Sequence, residues 1–137
     1  MVLTVKEAAA RLGLSEHTVR FYTDKGLVPT LQRDRNNNRL FDEASLNWLT
    51  GVKYLKECGM PLEEIRRYVE LCLEGDATAA ERYQIILRQQ EAARRQLEEA
   101  RTRLDYLEHK AALYRDILAH QLPDVMNPGT WPARTAM

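Results

Sequence analysis

The sequence has only two cysteines, Cys58 and Cys72, so it excludes a stabilising framework of disulfide bonds. No apolar run reaches the roughly 18 to 20 residues that a membrane-spanning helix needs. The N-terminal segment MVLTVKEAAARLG has neither a basic leader nor an apolar core of signal-peptide length. We also find no phosphate-cradling glycine loop, no paired nucleophile and base, and no cluster of metal ligands. These absences predict a cytoplasmic protein, without a membrane partner, that is not an enzyme and uses no cofactor or metal.

The formal net charge is zero, but the charges are distributed unevenly along the chain. Residues 1–56 carry nine Lys and Arg against six Asp and Glu, a balance of +3. Residues 57–75 carry two against five, a balance of −3. A basic excess at the front indicates a nucleic-acid partner only weakly, because strong binders are usually more basic overall.

Residues 77–118 carry the most regular pattern in the sequence, with apolar or small side chains at alternating steps of four and three and no Pro or Gly between them. Such heptad spacing predicts a coiled-coil seam on a helix about 60 Å long, at roughly 1.5 Å per residue. The rest of the chain is too small to bury it, so we expect a second copy as partner. Gln90, the one amide in the seam, would set the register. The predicted seam is Ala79, Tyr83, Ile86, Gln90, Ala93, Leu97, Ala100, Leu104, Leu107, Ala111, Tyr114 and Leu118.

The sequence from Thr4 to Gly26 predicts two short helices joined by a tight turn. Thr4 begins the first with the capping box T-V-K-E, and Gly13 ends it. Ser15 begins the second, which ends at Gly26, and the pair forms a helix-turn-helix. We expect Val19 to face inward. The side chains expected outward suit phosphates and base edges, and they are His17, Thr18, Arg20, Tyr22 and Lys25.

Residues 27–41, LVPTLQRDRNNNRLF, interrupt the helical pattern. Pro29 blocks continuation of the helix, and the asparagines at 36–38 favour a turn because Asn tolerates left-handed backbone. The segment therefore predicts a short hairpin, or wing, with Arg33, Arg35 and Arg39 placed to grip phosphate. A flexible polar loop is the alternative, and it leaves the three closely spaced arginines unexplained.

Two further helices and a tail complete the chain. Asp42 is expected to cap a helix of about 15 residues that Gly59 ends, and Pro61 to begin a fourth helix. Their inward sets are predicted as Leu46, Leu49, Val52, Tyr54 and Leu55, then Leu62, Ile65, Tyr68, Val69 and Cys72. The prolines after residue 119 exclude one long helix there. That tail is predicted to be disordered, to form a short helix, or to dock on a second copy through Met126 and Trp131.

Three of these stretches together resemble the DNA-binding domain of the MerR family. They are L-T-V-K-E-A-A-A-R-L-G-L-S-E-H-T-V-R-F-Y-T-D-K-G-L-V-P, a wing ending R-L-F, and K-Y-L-K-E-C-G-M-P-L-E-E-I. The resemblance covers residues 3–75, and the long helix fits the family's antiparallel dimerisation coil. It implies a mainly α fold, with a winged helix-turn-helix over 1–75, a dimerisation helix over 76–119 and a tail over 120–137.

The resemblance also implies a function. Family members are homodimers that bind double-stranded promoter DNA at a pseudo-palindromic operator, and many activate transcription by distorting it, so they act on RNA polymerase through the promoter. The implied contacts are Thr18, Arg20 and Tyr22 on the second helix, and Arg39 and Phe41 in the wing. Phe41 stands where the family more often has tyrosine. Asn37 and Asn38 stand where a glycine and an aromatic are usual, so the turn is expected to survive with a changed contact at its tip. The full candidate DNA-binding set is His17, Thr18, Arg20, Tyr22, Lys25, Arg33, Arg35, Asn38, Arg39 and Phe41.

The stretch L-C-L-E-G-D-A-T-A-A-E-R resembles small members of the family that respond to aldehyde and thiol stress. Those members carry a sensor cysteine where this chain has Tyr54. Cys58 lies one helical turn further on and is a candidate sensor, although a buried, inert cysteine is the favoured interpretation for both Cys58 and Cys72. The alternative to a regulator is a coiled-coil adaptor whose N-terminal helices bind protein. It does not explain the spacing of Arg20, Tyr22 and the wing arginines.

Overall fold

The computed structural model of the chain describes residues 1–133 and confirms the mainly α fold. The last four residues of the predicted tail, 134–137, lie outside the described residues. None of the helices described is long and apolar enough to cross a membrane. The helices are α1 Val5–Leu12, α2 Glu16–Asp24, α3 Glu43–Glu57, α4 Leu62–Glu74 and α5 Ala79–His120, and the antiparallel strands are β1 Gln32–Arg33 and β2 Arg39–Leu40. The chain divides into two compact units, Met1–Ala93 and the part from Arg94 onward.

Side-chain caps define the predicted helix starts. The capping box of α1 is complete: Thr4 Oγ1 accepts from the Glu7 N–H at 3.2 Å, and Glu7 Oε1 accepts from the Thr4 N–H at 3.1 Å. That backbone hydrogen bond is the main reason why the pKa of Glu7 is lowered. Ser15 Oγ caps α2 through the Thr18 N–H at 3.0 Å, and an Asp42 carboxylate oxygen caps α3 through the Ser45 N–H at 2.9 Å.

The first unit has one apolar core. Its buried side chains come from all four short helices, the wing and the start of α5. Phe41 is fully buried and pairs with Leu3 through two backbone N–H···O bonds of 2.8 Å, which join the N-terminal segment to the end of the wing. Ser45 is fully buried as well, and its hydroxyl lies 2.9 Å from that of Thr30. The wing and the helix-turn-helix therefore pack on the same apolar core.

Four predicted side-chain directions are wrong. Tyr22 was expected outward, but it is 6% exposed, because it lies one turn from buried Val19 on the same face of α2. Burial, with a smaller contribution from the charge of Glu57, raises the pKa of Tyr22. Phe41 was expected at the DNA face and is fully buried; Tyr54 was expected inward and is 58% exposed.

The fourth wrong direction concerns the cysteines. Cys58 was expected to be buried, and it is exposed at the C-terminal end of α3. Cys72 is half-buried, and its Sγ lies 3.9 Å from Nη1 of Arg82. The sequence pattern also missed two buried side chains. Leu71 packs the C-terminal end of α4 into the core, and Ile85 does the same for the start of α5.

The second unit consists of the later part of α5 and the following segment. Its predicted seam leucines at 97, 104, 107 and 118 are 57%, 53%, 59% and 78% exposed. Beyond α5, the indole Nε1 of Trp131 donates to the Val125 carbonyl at 2.9 Å. Asn127 caps a 3-10 turn over Pro128–Thr130 through the Gly129 N–H.

Candidate nucleic-acid interface

The outer face of α2 carries most of the predicted contact residues. His17 and Arg20 are exposed, and Nη2 of Arg20 forms a 3.4 Å ion pair with Glu16 one turn earlier. Thr18 is half-buried, and its hydroxyl accepts from Ser15 at 2.8 Å. An exposed i,i+4 pair contributes little stability, roughly 0.3–0.5 kcal/mol, so breaking it to release the guanidinium of Arg20 costs little.

Further along α2, the exposed aromatic is Phe21 rather than the predicted Tyr22. Phe21 is 39% exposed, and Nζ of Lys25 lies 5.5 Å from the centre of its ring. Such a cation–π contact keeps the ammonium of Lys25 close to the helix surface. Sequence reasoning missed Phe21, although the inward position of Val19 would have placed it on the opposite side of α2.

The wing turn is organised by Asp34, a residue that sequence reasoning did not select. One Asp34 carboxylate oxygen accepts from the Asn36 and Asn38 N–H groups, both at 2.9 Å, and the other accepts from Asn38 Nδ2 at 3.1 Å. Arg33 closes the turn from outside by donating to the Asn37 carbonyl at 3.0 Å. Asn37 has φ 64°, so the expectation that it takes the left-handed position is confirmed.

Arg39 joins the wing to the helix-turn-helix. Its Nη2 donates to Asp24 at 2.8 Å across the end of α2, and its side chain is only 17% exposed. The other terminal nitrogen, Nη1, is buried without a hydrogen-bond partner among the residues that the structure describes. A guanidinium held in this way fixes the wing against the end of α2.

A polar groove of about 440 Å³ lies between the start of α1, the side of α2 and the wing. It brings together four of the predicted DNA-binding residues, Arg20, Arg33, Asn38 and Arg39. It also includes Lys6, which sequence reasoning missed although it lies beside the N-terminal end of α1, where anions bind favourably. Four cationic side chains around one groove, against the carboxylates of Glu16 and Asp34, can receive a phosphodiester backbone.

The other predicted contacts do not belong to the groove. His17, Lys25 and Arg35 are exposed and Thr18 is half-buried outside its lining, whereas Tyr22 and Phe41 belong to the core. Within residues 1–133 there is no group of three His, Cys, Asp or Glu side chains that could hold a metal ion.

Asp34→Ala is expected to loosen the wing without unfolding the first unit, because the turn loses three acceptor contacts while the core is unchanged. The N–H groups of Asn36 and Asn38 should lose protection from hydrogen exchange, as measured by NMR. The N–H group of Ser45, which Asp42 caps, is the internal control and should keep its protection. Equal protection of the Asn38 N–H in both proteins would show that Asp34 does not hold the turn.

The same residue predicts a pH dependence. Hydrogen bonds from Asn38, and a weaker one from Asn36, hold the pKa of Asp34 below its ordinary value. Because the pKa is lower in the folded wing, the carboxylate stabilises the turn above the unfolded pKa. That contribution disappears as the pH falls through the lowered pKa, and the carboxyl NMR signal of Asp34 should report this transition.

Comparison with known proteins agrees with this geometry. A model of the MerR HTH family of regulatory proteins matches residues 3–72, and a second model, described as MerR, DNA binding, matches residues 46–110. An uncharacterized HTH-type transcriptional regulator of Haemophilus influenzae is 38% identical over 115 residues, which cover 84% of this chain and 85% of that protein. The regulator AdhR of Bacillus subtilis is 30% identical over 84 residues, which cover 61% of this chain and 60% of AdhR.

Solved structures give the same result. HiNmlR, a MerR family regulator lacking the sensor domain and bound to promoter DNA, superposes with a TM-score of 0.78 at 36% identity, covering 93% of this chain and 96% of that one. A MerR family regulator of Bacillus thuringiensis superposes with a TM-score of 0.71 at 29% identity, covering 83% and 100%.

A helix-turn-helix with an arginine-bearing wing, followed by a long helix, defines a class of DNA-binding proteins. Within that class, the chain belongs to the MerR family and is a DNA-binding transcriptional regulator, as its resemblance to the family predicted.

Proposed function

We propose that the chain acts as a homodimer on a pseudo-palindromic promoter operator and controls transcription by distorting the DNA between its two half-sites. Each half-site would be held by the outer face of α2 and by the groove between α1, α2 and the wing. RNA polymerase would respond to the altered promoter. The observation that carries this proposal is the grouping of Lys6, Arg20, Arg33 and Arg39 around one groove.

The heptad positions of α5 support the homodimer. The large side chains Tyr83, Leu97, Leu104 and Leu107 lie at these positions, and each is more than half exposed. A stripe of exposed apolar side chains along one helix marks an association surface rather than a solvated face. A second copy supplies a matching stripe and places the two winged units at a fixed spacing, which a palindromic operator requires.

Distortion of the operator follows from the same arrangement. Two winged units joined through a helical coil are held at one separation. Where the half-sites of a promoter are spaced differently, the DNA has to bend or untwist, and the deformation energy is offset by the additional contacts. Bending of operator fragments, measured by circular-permutation gel shift, tests this step. Bound fragments with the site at the centre should migrate more slowly than those with the site at the end, and equal migration would show that the DNA remains straight.

Arg20→Ala is expected to weaken operator binding by about 1–3 kcal/mol per half-site, roughly five- to 150-fold, while the oligomeric state is unchanged. Fluorescence anisotropy with DNA from upstream of the chain's own gene measures the affinity at fixed salt. Arg95→Ala is the matched control, since Arg95 is exposed on α5 and lies outside both the groove and the heptad seam. Unchanged binding by Arg20→Ala would favour the alternative function, a coiled-coil adaptor that binds protein.

We further propose that the regulator responds to aldehyde or thiol stress through Cys58. The exposure of this thiol at the end of α3 supports the proposal, because a buried thiol would be inert. In a transcription assay on an operator-bearing promoter, addition of a thiol-modifying aldehyde is expected to change the output of the wild-type protein and not that of Cys58→Ser. Cys72→Ser is the control and should respond like the wild type. Equal responses of all three proteins would leave Cys58 without a sensing role.

A further inference from the structure

The first residue of α2, Glu16, places a carboxylate among cations. It lines the polar groove together with the basic side chains of Lys6, Arg20, Arg33 and Arg39. A negative charge repels a phosphodiester backbone, so it weakens any surface that binds phosphate alone. The position of this carboxylate is therefore better suited to a contact with another part of the DNA.

Glu16 also has a free acceptor, unlike the other carboxylate of the groove. Asp34 already accepts three hydrogen bonds within the wing turn. The side chain of Glu16 is 46% exposed, and its Oε1 lies 3.4 Å from Nη2 of Arg20. Within residues 1–133, its Oε2 accepts no hydrogen bond. Glu16 is thus the carboxylate that can accept a hydrogen bond from DNA.

A group that only accepts hydrogen bonds fits few atoms in the major groove. A carboxylate at neutral pH cannot donate. Guanine and thymine present acceptors there, and adenine presents the N6 amine beside the N7 acceptor, whereas cytosine presents the N4 amine. Cytosine is therefore the base that suits a carboxylate best. The N-terminal residues of a recognition helix contact base edges, and Glu16 is the first residue of α2.

Arg20 supplies the complementary half of a base-pair contact. A guanidinium presents several N–H donors, so the pair with Glu16 leaves others for O6 and N7 of a guanine. In a G·C pair, guanine O6 and cytosine N4 are joined by a Watson–Crick hydrogen bond of about 2.9 Å. The Arg20 nitrogen and the Glu16 oxygen lie 3.4 Å apart. A neighbouring donor and acceptor on α2 therefore match a neighbouring acceptor and donor on one base pair.

We propose that Glu16 and Arg20 together read one G·C pair in the major groove of each half-site. Arg20 donates to O6 and N7 of the guanine, and Glu16 accepts from the N4 amine of the cytosine. Glu16 is then a residue that determines the specificity of the regulator. This inference rests on the operator binding of the proposed function and adds to it a base pair that each half-site must contain.

Modified bases test the two contacts separately, since replacing the base pair would change both at once. The operator is the region upstream of the chain's own gene that the full-length protein protects from DNase. Each cytosine of a half-site is replaced in turn by N4-methylcytosine, whose methyl group blocks the amine in the major groove. We expect one such position to weaken wild-type binding about five- to 150-fold in fluorescence anisotropy. Glu16→Ala should bind the unmodified operator more weakly than the wild type does, and the methylated operator equally weakly.

Glu43→Ala is the matched control. Glu43 is the first residue of α3 and follows a capping side chain, as Glu16 does in α2, but it is exposed outside the groove. Both variants lose a favourable interaction with the positive end of a helix. Glu43→Ala should nevertheless keep the wild-type sensitivity to N4-methylcytosine. 7-Deazaguanine, which lacks the N7 acceptor, should weaken binding by the wild type and by Glu16→Ala when it pairs with the sensitive cytosine, and should not weaken Arg20→Ala further.

The outcomes separate the inference from the function on which it rests. If no N4-methylcytosine weakens wild-type binding, or if the effect persists in Glu16→Ala, the inference is wrong and operator binding stands. Tighter binding of the unmodified operator by Glu16→Ala would show that Glu16 only repels phosphate, which also overturns the inference. A wild-type protein that bound none of its upstream DNA specifically would overturn the proposed function itself.

Discussion

Replacing Leu104 and Leu107 together by aspartate is expected to abolish the dimer and, with it, operator binding. Both leucines lie at seam positions and are more than half exposed in the single chain, 53% and 59%. The folded monomer therefore loses little from the change. In the dimer, however, four carboxylates would be buried in an apolar seam, at a cost of several kcal/mol. The dissociation constant of the dimer should rise at least about a thousandfold, which corresponds to about 4 kcal/mol.

Analytical ultracentrifugation and anisotropy with operator DNA measure the two expected losses, and circular dichroism checks that the helices remain. Thr102→Asp with His109→Asp is the matched control. It adds the same number of carboxylates to the same helix at exposed, outward heptad positions, so dimer and operator binding should persist. If the leucine variant still bound its operator as a dimer, the assignment of the seam would be wrong, and the apolar stripe of α5 would need another partner.

The elements of the fold could be predicted because their signals are local. Thr4, Ser15 and Asp42 cap helices that begin where the sequence places them, since a cap needs only the three residues that follow it. The wing turn was predicted for the same reason, because Asn37 tolerates left-handed backbone by itself. The heptad pattern of α5 likewise depends only on residues of one helix.

The wrong directions have a different origin. With Val19 inward, helical spacing already favours Tyr22 on the buried side, but Tyr22 was grouped with the outward side chains that suit phosphates and base edges, and the family resemblance repeated that placement. Tyr54 follows the inward residues Leu49 and Val52 at a spacing that turns it outward, so periodicity counted residue by residue would have found this as well. In a short helix, the angular position of a residue relative to a known core residue predicts its burial better than its apolar character does.

The candidate sites themselves depended on contacts between distant parts of the chain. The ion pair of Arg39 with Asp24 and the polar groove between α1, α2 and the wing each join residues that no local pattern connects. Asp34 is close in sequence to the residues that it contacts. An aspartate between two arginines nevertheless suggests an exposed ion pair, and its three acceptor contacts are evident only in the structure. The sequence could name arginines as candidates to bind phosphate; which of them share a groove depends on tertiary packing.

Phe41→Ala is expected to destabilise the first unit by about 3–5 kcal/mol, the usual cost of removing a buried phenyl ring from a core. The ring is fully buried, and its backbone pairs with Leu3, so the cavity would open where the N-terminal segment, the wing and α3 meet. Such a loss is a large share of the 5–15 kcal/mol by which domains are typically stable. Urea unfolding followed by circular dichroism measures it.

The other phenylalanine is the matched control. Phe21 is 39% exposed, and its ring contacts Lys25 on the surface of α2, so Phe21→Ala should change the free energy of unfolding by no more than about 1 kcal/mol. Phe41→Leu, which keeps most of the buried volume, should bind operator like the wild type wherever it is folded, because its side chain does not reach the surface. If Phe41→Ala were fully stable but bound the operator more weakly, Phe41 would be a DNA contact as the sequence predicted. The wing would then have to open when it binds DNA.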